Sequence, residues 1–322
     1  MPEVQETVVG AAPSELAIYY CDMFPFQNDI HDSSTWLPRE EVHGYVETDL
    51  APALVEAFRV ETDDWGFPWH EAWISYRTGA DQERLCVALT DGVTWYHGKA
   101  PSRGHAGISL KVSGGYGEPA YNGLSDRLLS TFYHELFHNV QRSINLSLGG
   151  GGALDGKEDA WQFLSEGTAV LASSVGQRDV QFSQARLERA YMQHANAFLE
   201  TDLNTSYSEL NPYHGALFWR FLYEQCGGMK GDEDPATGMQ VIGRTLETLY
   251  AGDIVDIQSS TALVRSFPGI MDQALMGSMC PFQTYEESLI AFSHAIYALR
   301  LAGGRCTGIG SPAGCGFYDP HS

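Results

Sequence analysis

The strongest constraint on this chain lies between residues 125 and 145. Leu129, Phe132, Tyr133, Leu136, Phe137, Val140 and Ile144 recur at steps of three and four residues. That spacing gathers side chains on one stripe of an α-helix. Ser125 or Asn122 can cap its start. The stripe predicts a helix from about residue 123 that buries one face in a core. His134 and His138 fall off the centre of the stripe, with Thr131, Glu135 and Gln141 nearby, so the helix is expected to turn its histidines toward a cleft.

The run "HELFH" gives that face a chemistry. Residues four apart on a helix stand one turn above each other. Two imidazoles so placed can grip one Zn²⁺, and the glutamate between them can reach a water on the metal and serve as its general base. Catalytic zinc usually has three protein ligands, so His134 and His138 need a partner brought in by the fold. The segment "AWQFLSEGTAVLASS" offers Glu166, a lone carboxylate in an otherwise apolar helix. Such a group is costly to bury unless it is paired or bound to a metal. Asp159, seven residues earlier on the same face, is a competing ligand, or a residue that orients a ligand histidine. Gly167 and Ala169 are small and would let a second helix approach closely. A glycine inside a helix costs about 1 kcal/mol relative to alanine, so it asks for a packing reason.

Charge narrows the partners. There are 19 Lys and Arg against 41 Asp and Glu, a net charge of −22. A surface this acidic repels nucleic acid and anionic membranes. No apolar run is long enough to span a bilayer. The sequence carries no G-x-S-x-G, phosphate-binding loop or dinucleotide fingerprint, which leaves serine hydrolase and nucleotide chemistry without support. The six cysteines, Cys21, Cys86, Cys226, Cys280, Cys306 and Cys315, contain no C-x-x-C pair. An even count without metal spacing favours disulfides, with Cys306 and Cys315 the best local pair. The N-terminus has no secretory-signal pattern. Together these features lead us to expect a mature extracellular or extracytoplasmic chain, with a cytoplasmic location as the alternative.

Along the first 120 residues, "LAIYYCDMF", "AWISYRT", "RLCVALT" and "HAGISLKV" read as short strands, with a helix in "APALVEAFRVE". "DDWGFPWHEAW" is an aromatic loop that either rims a cleft or packs on the core. Helical patterns resume near Lys157 and recur at about 157–175, 182–200, 213–226, 236–250 and 284–301. The expected fold class is α+β. Residues 1–150 would form a mixed α/β subdomain with a small sheet, an edge strand and the H-E-x-x-H helix. Residues 151–322 would form a mainly helical subdomain that carries the third ligand.

"HELFH" followed by "SEGTA" resembles the gluzincin branch of the zincin metallopeptidases, the group that includes thermolysin-like enzymes. By motif the resemblance covers residues 104–175. It implies a zincin-like fold, one catalytic Zn²⁺ on His134, His138 and Glu166, Glu135 as general base, and a peptide or protein substrate. A structural Ca²⁺ has no motif to support it. It also implies that "RGHAGISLKVSGG" is the edge strand bordering the cleft, with His97 and His105 flanking it. An oxyanion donor would come from the helical half, where "ELNPYHGALFWRF" places Tyr213 and His214 at the positive end of a helix. One departure stands out: many gluzincins carry an aspartate four residues after the third ligand, and this chain has Val170. Two other readings fit the motif, a zincin-fold hydrolase of a non-peptide substrate and a non-catalytic binding protein. The second gives Glu135 no task.

Overall fold

The computed structural model describes residues 4–9, 16–21, 44–68, 85–90, 95–99, 105–111, 126–148, 158–176, 215–228, 235–251 and 260–301. The chain divides into two compact units, one built on Met1–Ser147 and the other on Leu154–Val175 and Asp179–Ser322.

The expectation of an α+β fold with a β-sheet half is corrected by what the described residues form. Taken together they are mostly helical, and in the first unit two helices stand beside short strands. There, helix α1 (Ala51–Arg59) continues at both ends as π-helical turns, Val46–Leu50 and Val60–Asp64. Helix α2 (Asp126–Ser147) is 22 residues long. Val46, Leu50, Leu54 and Phe58 follow one another at steps of four and are buried, which carries the helical pattern beyond the "APALVEAFRVE" window on its N-terminal side. Trp65 and Phe67, from the aromatic loop, pack on α2. Trp65 stacks on Tyr133 with ring centroids 6.5 Å apart, and Phe67 meets Phe137 edge-on at 5.3 Å. The chain turns between them at Gly66, whose φ of 73° favours glycine.

Among the described residues, extended backbone is limited to five short segments, β1 (Val4–Val9), β2 (Leu16–Cys21), β3 (Leu85–Thr90), β4 (Trp95–Lys99) and β5 (His105–Lys111). They pair in the order β1-β2-β3-β5-β4. The outer pairs are antiparallel and the two inner ones parallel. Among these segments only Val87 and Ile108 have described side-chain surroundings, and both are buried. Segments of five to seven residues do not amount to half a fold beside α1 and α2. A second correction follows from the pairing. The segment expected at the edge, β5, is bonded to β3 on one side and β4 on the other. Among the described strands the edges are β1 and β4. A strand's own residues do not state how many neighbours it has, which is why the edge was misplaced. "AWISYRT" lies outside the described residues.

The second unit is helical: α3 (Glu158–Gly176), α4 (Ala216–Tyr223) with a π-turn Glu224–Gly228, α5 (Pro235–Ala251), α6 (Ser260–Leu275) and α7 (Tyr285–Leu301). Its core is aromatic. Phe218 meets Phe292 at 5.4 Å, Trp219 meets Phe267 at 6.2 Å and Phe267 meets Tyr285 at 5.3 Å, all edge-on. Such pairs add about 0.5–1.5 kcal/mol each beyond the area they bury. Gly167 has the packing reason that its position demands: a Cβ there would stand 2.8 Å from Cδ1 of Trp219. Cys226 and Cys280 form a disulfide across 54 residues, whereas Cys306 and Cys315 lie outside the described residues. No helix among the described residues is long and apolar enough to cross a membrane.

Candidate metal centre

Helix α2 packs against α1, β4 and β5. This enclosure changes the expected division into one buried and one open face. Every residue from Glu135 to Asn145 is buried, including Asn139, Gln141, Arg142 and Ser143. A helix surrounded on its sides can carry polar groups only where they find partners. Asn139 does so within the helix, its Nδ2 donating to the carbonyl of Glu135 at 2.9 Å. His134 and Glu166 keep partial exposure, while His138 is 4% and Glu135 9% exposed.

The one-turn spacing brings the imidazoles together as expected. Nε2 of His138 lies 3.2 Å from Nε2 of His134, with ring centroids 4.8 Å apart and planes at 89°. Two nitrogens bound to one tetrahedral ion at about 2.0–2.1 Å stand about 3.3 Å apart, so the observed separation already suits a shared metal. Glu166, on α3, completes the set. His134, His138 and Glu166 each offer one ligand atom, and these atoms lie within 4.8 Å of one another. The group can hold a metal ion. Two imidazoles and a carboxylate are the donors that zinc accepts in three-ligand sites, although imidazole also suits copper, iron and nickel.

No protein-family model, curated protein or solved structure matches this chain. What the site can do must therefore be argued from its own residues.

Glu135 occupies the position next to His134, about 100° further round the helix, where a general base is expected. Tyr213 and His214 lie outside the described residues, immediately before Gly215 and α4. The side chain of Asp159 lies outside them as well. One contact went unassigned in the sequence. Nδ1 of His138 lies 3.1 Å from Oε1 of Gln141, and both residues are buried. The signal for it was present, since residues three apart on a helix are neighbours.

Proposed function

We propose that the protein is a zinc-dependent peptidase. The observation that carries this reading is the convergence of His134, His138 and Glu166 within 4.8 Å, with the buried carboxylate residue Glu135 beside the first of them. His134 and His138 would hold the ion through Nε2, and Glu166 through a carboxylate oxygen. Zn²⁺ bound there would supply an activated water and polarise a carbonyl. Glu135 would act as the general base, accepting a proton on its carboxylate and passing it to the leaving nitrogen. Tyr213 and His214 are the proposed donors to the oxyanion.

A peptide is the substrate favoured by the strand pairing. Among the described residues β4 pairs with β5 alone, and it packs against the helix that bears the histidines. An extended peptide can add to such an edge through main-chain hydrogen bonds. The test is cleavage of an unstructured protein such as casein by the purified chain. Cleavage should cease when a chelator strips the metal and return when zinc is restored. A zinc-loaded chain that leaves casein and a library of peptides intact would remove the peptidase reading.

A further inference from the structure

We infer that Gln141 is the positioning residue of this centre, holding His138 in the one tautomer that can bind a metal. The inference rests on the zinc reading given above. A neutral imidazole carries one N–H, and the partner of one ring nitrogen decides what the other can do. The Gln141 oxygen is an acceptor only. At 3.1 Å from it, Nδ1 of His138 must be the protonated nitrogen, and Nε2 is left with a bare lone pair. That lone pair is the one 3.2 Å from His134 Nε2. Burial of both His138 and Gln141 keeps water from supplying a substitute acceptor. Losing the glutamine oxygen removes the acceptor that favours the proton on Nδ1 and lets the ring carry it on Nε2 instead. The proton would then occupy the ligand atom. Because Gln141 lies on the same helix as His138, the contact survives any movement of α3 and pre-sets the ring before a metal arrives.

The test compares zinc dissociation constants, by competition with a chelator, for the full chain and two variants. Gln141→Met keeps the length of the side chain and removes the acceptor. Gln141→Glu keeps the acceptor. Removing a group that orients a ligand typically weakens metal binding about 10–100-fold. We expect that loss for Gln141→Met and recovery to within a few-fold of wild type for Gln141→Glu. Wild-type affinity in Gln141→Met would overturn the inference and leave the zinc reading standing. Equal losses in both variants would also overturn it, by showing that the residue serves packing alone. Failure of the wild-type chain to bind zinc would remove both. A measurement independent of variant folding is the ¹⁵N spectrum of the metal-free wild type. His138 should show a protonated Nδ1 and a bare Nε2, and the opposite assignment refutes the inference.

Discussion

The Nε2 atoms of His134 and His138 face each other at 3.2 Å, with one ring almost perpendicular to the other. With the His138 proton on Nδ1, Nε2 of His134 can donate to Nε2 of His138 while no metal is bound, and an ion held by both rings would replace that proton. We predict one zinc per chain, and metal content well below stoichiometric in His138→Ala. Elemental analysis after dialysis measures this, and a His138→Ala chain with full zinc would remove His138 from the ligand set.

Glu61, in the π-turn after α1, should make stability fall as pH rises. Its side chain is fully buried, and neither carboxylate oxygen has a hydrogen-bond partner among the described residues. Burial pushes its carboxyl well above the usual value of 4.5. Above that value the unfolded chain releases the proton while the folded chain retains it, so the unfolded state binds fewer protons and gains ground with pH. Glu61→Gln removes the titration. Its advantage in urea midpoint over wild type should grow between about pH 5 and about pH 8; a constant difference across that range would contradict the argument.

Gly167 tests the packing beside Glu166. Alanine in its place would gain about 1 kcal/mol of helix propensity. Its Cβ would press on the buried Trp219 ring at 2.8 Å, and overpacking costs about 1–3 kcal/mol. We therefore expect Gly167→Ala to lower the thermal midpoint. An increase would mean that Trp219 moves aside freely.

The Cys226–Cys280 bond closes a loop of 54 residues, for which chain entropy gives a stabilisation of about 4 kcal/mol. Thiol titration of the unfolded, unreduced chain should find at least one pair of the six cysteines unreactive. Replacing both by serine should lower the denaturant midpoint. Six free thiols would place the chain in a reducing compartment and undo the expectation of an extracellular site.

The parts of this molecule that were legible in its sequence are those governed by local periodicity. The apolar stripe of α2 located its buried face from Phe132 to Ile144, and one-turn spacing placed His134 over His138. Gly167 announced a close neighbour without naming Trp219. What was hidden depends on partners remote in sequence. α6 was missed because Pro268 sits inside it, and proline removes a helical hydrogen bond and clashes with the preceding turn. The structure carries Pro268 at an exposed position, where distortion disturbs no core. The burial of Asn139, Arg142 and Ser143 was equally unreadable, because their polarity signals solvent unless α1, β4 and β5 are known to enclose the helix.

The central claim is that Glu135 uses the metal and Glu166 holds it. Glu135→Gln preserves size and hydrogen bonding but cannot accept a proton at neutral pH. It should fold, keep near-stoichiometric zinc and lose turnover by at least about 10²-fold, the low end of what general-base catalysis contributes. Glu166→Gln should lose the zinc itself, since a neutral amide is a poor ligand for a dication. Metal content and peptide cleavage measured together on both variants provide the most direct test. Zinc retained with activity lost in the first, and zinc lost in the second, is the predicted result; wild-type turnover in Glu135→Gln would contradict the account.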